Sequence, residues 1–303
     1  MQTAMLCMMR TSTVESDNTS LTQAPDERAH LLGTLELGFR RDSDCTRLIH
    51  RLHSGPLRVQ KPLYPEGEAT CHVVIVHPPG GVVGGDELRV QAELENGSRA
   101  LLSTPGAAKW YRANGHVSKQ HIKLQLEPSA VLEWLPQETI FFNGADVVLD
   151  NEISLQGDAQ YLGCEILCFG RTAHGERFTQ GRLRQRLMIT RDGKPIWFEQ
   201  GDLRADSRMM TSPLGLAGYT VCATLIVAGA NVPATGCLDE VRARCEPIAS
   251  EGQFGASQLK SVVVVRYLCN SSEVARELML TAWSVLRPAL LGQVAHVPRI
   301  WNT

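Results

Sequence analysis

Short alternations of apolar and polar residues dominate the chain from Leu35 onward. Leu88, Val90, Ala92 and Leu94 alternate with Arg89, Gln91 and Glu93, and Ile122, Leu124 and Leu126 alternate with His121, Lys123 and Gln125. Side chains in a strand point to opposite faces in turn, so each run places its apolar set on one face. The same reading predicts strands over Leu57–Lys61, Cys71–His77, Ala100–Ser103, Val147–Ile153, Tyr161–Phe169, Leu183–Thr190, Val221–Val227 and Val262–Leu268. Turn pairs separate many of them: Asn96-Gly97, Asn114-Gly115, Asn143-Gly144, Gly157-Asp158 and Asp192-Gly193. Only two stretches carry helical spacing. Leu238, Val241, Cys245 and Ile248 form one stripe, ending near Pro247. Val274, Leu278, Ala282 and Val285 form the other, which Ser271 and Ser272 are placed to cap and Pro288 should end or kink.

Many short strands and two helices predict a mainly β fold, and pattern alone leaves sandwich, barrel and β-helix open. Residues 1–33 break the pattern, because Ser, Thr, Asp, Asn and Gln dominate between Thr11 and Gln23. Too few apolar side chains stand there to offset the entropy of ordering, so the expectation is a flexible tail followed by one domain over 34–303. The 30 basic and 32 acidic residues leave a net charge of −2. That balance offers no field for nucleic acid or anionic lipid. Nine cysteines at irregular spacing cannot complete a disulfide framework, and with no signal peptide in view the expected compartment is the reducing cytoplasm. No apolar run approaches the roughly 18 residues that a membrane span needs.

The candidate chemistry is sparse. The run GGVVGGD leads into a strand and is followed by no lysine, so it lacks the helix and the cation of a phosphate loop. It reads either as a tight reversal or as a loop that lets a backbone or an ion approach closely, with His77 and Asp86 at its ends. There is no GxSxG elbow and no HExxH pair. Cys164 and Cys168 on one strand stand roughly 13 Å apart, too far for one metal, and read as core thiols. His50 and His53 read as surface histidines. Lys109, Trp110, Tyr111 and Arg112 are either a packed cation–π loop or a hot spot for a partner protein. Glu133 and Glu165 sit in apolar runs, where an unpaired carboxylate is costly, so each requires a partner, water or a cation. Arg171, Arg177 and Arg186 are candidate partners. The alternative is a hydrated internal passage lined by Asp86, Glu138, Glu165 and Glu176, with His77 near it. Oxygen ligands with an occasional imidazole attract a divalent ion but let it leave.

Six segments together resemble one known family. They are HPPGGVVGGDELRV (77–90), LLSTPGAAKWYRANG (101–115), LEWLPQETIFFNGA (132–145), CFGRTAHGERFTQG (168–181), WSVLRPALLG (283–292) and VPRIWNT (297–303). They are similar to the urease accessory protein UreD, called UreH in some organisms. The resemblance implies a β-helix-like stack of strands with the two helices attached. It implies a non-enzymatic scaffold that docks on the urease apoprotein and on UreF, with the GTPase UreG recruited through UreF. Nickel would be in transit along the passage, with no tightly bound cofactor, and poor solubility is expected of the chain made alone. A competing expectation is a carbohydrate-active β-helix enzyme with Asp86 and Glu138 as its carboxylate pair. The absence of an export signal and the 6% aromatic content weigh against it.

Overall fold

A computed structural model of the chain describes residues 30–229 and 235–302. The expected tail therefore falls, over 1–29, outside the described residues, and the first strand already begins at Leu32. The elements in chain order are β1 (Leu32–Asp42), β2 (Cys45–Ser54), β3 (Arg58–Val59), β4 (Cys71–Val76), β5 (Glu87–Leu94) and β6 (Arg99–Ser103). Then follow β7 (Ala108–Trp110), β8 (Ser118–Leu126), β9 (Val131–Leu135), β10 (Thr139–Phe141), β11 (Asp146–Leu155) and β12 (Gln160–Phe169). The rest are β13 (Arg182–Arg191), β14 (Lys194–Arg204), β15 (Val221–Ala228), α1 (Thr235–Cys245), β16 (Gln253–Leu259), β17 (Val262–Cys269) and α2 (Ser272–Leu291). Each strand drawn from alternation is present, although Leu57–Lys61 shrinks to the two residues of β3. β1, β2, β7, β10, β14 and β16 were not drawn. Of these, β2 and β14 pair on one side only, at the two ends of a sheet, and their largely exposed side chains carry no clean alternation.

The chain winds as a β-solenoid of about four turns. One sheet stacks β1, β5, β8, β11 and β13 in parallel, and the facing sheet stacks β4, β6, β9 and β12 in parallel. Along the chain these stacked strands alternate between the two sheets, so each pairs in parallel with its counterpart one coil away. A short third side is made by Val82, β7 and β10, again in parallel, with β10 joined to the end of β12. Antiparallel strands close the stack: β2 and β14 flank the first sheet, and β15, β17 and β16 extend the second. The coils are tied at their corners by side chains reaching one turn back. Asn96 N–H donates to Glu127, Ser129 N–H to Asp158 and Gly157 N–H to Asp192, across 31, 29 and 35 residues.

Two apolar layers result. The interior of the solenoid holds Leu37, Phe39, Leu94, Leu124 and Trp110, and Phe141 stacks on Phe169 at 5.5 Å between centroids. The outer face of the second sheet, with the core thiols Cys164 and Cys168, is covered by α1 and α2. Leu278, Ala282 and Val285 face this layer as their spacing predicts, and Ser271 Oγ caps the helix by accepting from Val274 N–H. Pro288 does not end α2, which runs on to Leu291 and stops at the left-handed Gly292. The missing N–H frees only the Ser284 carbonyl, while Arg287 beside it is held on several sides.

That arginine is fully buried and is the partner of Glu133, in place of the arginines expected from sequence. Its guanidinium donates to Glu133 on β9 at 2.9 and 3.0 Å and to Glu66 at 2.7 and 2.8 Å. Trp283 Nε1 donates to Glu133 at 2.8 Å, and His72 Nε2 lies 2.5 Å from Glu66. Burial pushes the Glu66 carboxyl up, and its bonds to His72 and Arg287 more than reverse this, leaving it at about 2. For Glu133, burial is the largest influence and raises it, against the pull of Arg287.

Candidate functional site

The solenoid is not filled along its length. A cavity of about 700 Å³ runs between the sheets, lined by Ile75 and His77 near its first coil and by Leu203 and Arg266 beyond its last. Its wall is mostly apolar, which follows from inward-facing alternation, but several inward positions are polar. Glu165 on β12 points inward with Leu167 and Phe169, and its carboxylate accepts from Gln185 Nε2 across the sheets at 2.5 Å. Burial pushes this acid up to about 7, against the Gln185 hydrogen bond. Glu199 on β14 and Arg266 on β17 form an ion pair at 2.6 Å that joins the two sheets at one end. His77 Nε2, Gln137 Nε2 and Asn151 Oδ1 are buried in this wall without a protein partner. Such groups call for water or a polar guest, since an unmet buried polar atom costs about 1–3 kcal/mol. Burial lowers His77, and the nearby charge of Asp86 opposes that shift.

A second hollow, of about 540 Å³, lies at a corner of the stack and is bordered by His30, Asp86, Tyr111, Arg112, His116 and Glu176. The glycine-rich loop between β4 and β5 forms one wall. A side chain on Gly84 would meet the Ala113 carbonyl at 1.9 Å, so here one backbone does approach another as closely as the run of glycines suggested. Gly85 has φ +92°, and a Cβ there would meet the His30 ring at 2.0 Å. Asp86 accepts from the backbone N–H groups of Leu31 and Val83 at 3.0 and 3.2 Å. Glu176 pairs with Arg171 and accepts from Asn143 N–H at 3.0 Å. Burial would raise Glu176, and these two partners outweigh it and hold it low. Arg171 also lies over the Phe142 ring at 4.4 Å, against which Tyr111 packs edge-on.

The four acids and the histidine read from sequence thus fall in three places. Glu165 and His77 line the axial cavity, while Asp86 and Glu176 border the corner hollow. Glu138 lines neither and pairs with Arg276 of α2. Asp86 and Glu138 do not face each other across one cleft, which removes the geometric basis for a carboxylate pair. Of the aromatic and cationic quartet, Trp110 is 1% exposed inside the solenoid, Lys109 reaches the axial cavity, and Tyr111 and Arg112 border the corner hollow. Gln185, Asn151, Glu199, Arg266, His30 and His116 were missed. Gln185 and Asn151 stand on inward positions of strands read from alternation, which was the available signal; nothing local marks Glu199, on β14, or the two histidines. Among the described residues no group of three or more His, Cys, Asp or Glu side chains is placed to hold a metal ion.

The family described as "UreD urease accessory protein" matches residues 32–302. The urease accessory protein UreD of Janthinobacterium sp. (strain Marseille) is 56% identical over 269 residues, covering 89% of this chain and 90% of that protein. UreD of Nitrosospira multiformis is 50% identical over 277 residues, with 91% and 98% covered, and UreD of Dechloromonas aromatica is 48% identical over 271 residues, with 89% and 93% covered. Identity of this depth across nearly the whole described solenoid means that the chain belongs to the UreD family of urease accessory proteins.

Proposed function

We propose that this chain serves urease maturation as a non-enzymatic scaffold that docks on apo-urease and UreF and carries nickel through its axial cavity. UreG joins through UreF, and its GTP hydrolysis supplies the drive, so the chain needs no nucleotide of its own. The observation that carries this reading is the cavity itself. A solenoid of this size can fill its interior with side chains, yet here about 700 Å³ is left, with Glu165, His77 and Asn151 in its wall. Carboxylate, imidazole and amide groups bind a borderline divalent ion without the closed tetrahedral cage that would trap it. Glu165, about half protonated at neutrality, gives up its proton to an arriving cation and regains it when the ion moves on.

Membership of the family ties the chain to urease maturation; the route and the docking partners are the proposal. Co-expression of urease with all its accessory proteins, with and without this chain, tests it by urease activity and bound nickel. The expected result without the chain is nickel-poor, inactive urease. Fully active urease at normal metal occupancy would overturn the reading.

A further inference from the structure

The ring centroids of His30 and His116 lie 5.0 Å apart, tilted by 57°, on the border of the corner hollow. The two residues come from separate segments and meet only because the glycine-rich loop lets them. His30 lies over Gly85, where any side chain would displace it. Two imidazoles on one ion have a characteristic spacing. With a metal–nitrogen bond of about 2.1 Å, each centroid stands about 3.2 Å from the ion, so centroids are about 4.5 Å apart at a right angle and about 5.2 Å at the tetrahedral angle. The observed spacing falls inside that window.

The position of the pair adds a second, independent observation. Asp86 borders the same hollow, and its charge acts on His77, which lines the axial cavity. The loop from His77 to Asp86 is therefore the partition between hollow and cavity. On the cavity side of that partition, His77 Nε2 is buried and has no protein partner.

We propose that His30 and His116 form a two-histidine capture site for a divalent transition-metal ion in a vestibule beside the axial cavity, with Asp86 and His77 next along the route. Imidazole favours nickel, copper and zinc over magnesium and calcium, so the site selects by ligand chemistry. Asp86 is engaged by two backbone N–H groups and contributes charge, and water completes the coordination. Two protein ligands hold an ion weakly enough to hand it on. The site stands on its own geometry, and its role in delivery rests on the reading of the cavity as a nickel route.

Binding to the purified full-length chain without a polyhistidine tag separates the two, because urease is absent from the measurement. Titration with Ni²⁺ is expected to show His30→Asn and His116→Asn each weakening one site at least tenfold, with the double variant little worse than either. His50→Asn and His53→Asn, on the exposed strand β2, leave it unchanged. Cu²⁺ in the same site gives an electron paramagnetic resonance pattern from two imidazole nitrogens, reduced in each single variant. A further readout needs no variant: Ni²⁺ protects His30 and His116, but not His50 or His53, from diethylpyrocarbonate. Unchanged affinity in the variants, or equal modification with and without Ni²⁺, overturns the site.

Discussion

Glu165 holds its proton to about pH 7 in the folded chain, because burial disfavours its charged form by more than the Gln185 hydrogen bond favours it. The unfolded chain gives up that proton near the ordinary value of 4.5. Between these values the folded state binds more protons, so this residue's contribution to stability is greatest below about 4.5 and falls as pH rises through about 7. Glu165→Gln is therefore expected to leave stability unchanged at pH 4 and to raise it at pH 8. The full gap corresponds to at most about 3 kcal/mol, and water in the cavity reduces it. Urea unfolding at the two pH values measures it, and equal effects at both would refute the assignment. An acid standing among Leu167 and Phe169 was visible in the sequence as a residue in need of a partner. The partner was not, because Gln185 lies on the opposite sheet and only the winding of the chain brings it across.

At the scale of elements, α2 is held on the solenoid by its apolar face and by two ion-pairing side chains, Arg276 with Glu138 and Arg287 with Glu133 and Glu66. Arg287 balances Glu133 on β9, which is buried, and Glu66 in the loop before β4, which is largely buried and also faces His72. Removing it strands two carboxylates, and breaking a buried pair costs about 3–5 kcal/mol. Arg287→Ala is expected to lower stability by that amount, with early loss of fluorescence from Trp283, which donates to Glu133. Glu133→Gln is expected to cost less, because Arg287 keeps Glu66. Equal losses from the two substitutions would count against this division of roles. Most of the long strands and both helices were legible because period-two and helical spacing are local properties. Their connection was not. Asn-Gly and Asp-Gly pairs mark a reversal but not its destination. Asp192–Gly193 closes a hairpin, with φ values of 48° and 76°. Asn96-Gly97 instead sends the chain to the facing sheet. Pairing then occurs one coil away, at a distance that no local pattern encodes.

For the whole molecule, the polar atoms in the axial wall are set against stability. Asn151 stands at an inward position of β11, in register between Ile122 and Leu187, where its neighbours are apolar. Its Oδ1 is buried without a protein partner. Leucine has the same branched outline and no polar atom, and the cavity that Asn151 lines has room for its larger methyl groups, so Asn151→Leu is expected to stabilise the fold by about 1–2 kcal/mol by removing an unmet acceptor. If the axial cavity carries nickel, the same substitution takes an oxygen ligand and its attendant water from mid-route. Urease matured with this variant is then expected to bind less nickel, although its accessory protein is more stable. The two measurements exclude the ordinary explanation for a loss of function, which is a damaged fold. A stabilised variant that loads urease normally would mean that the polar wall serves no transit, and the passage would have to be abandoned while the scaffold role stood. A variant that gains stability and starves urease of metal would identify the unfilled interior as the feature for which this solenoid gives up packing.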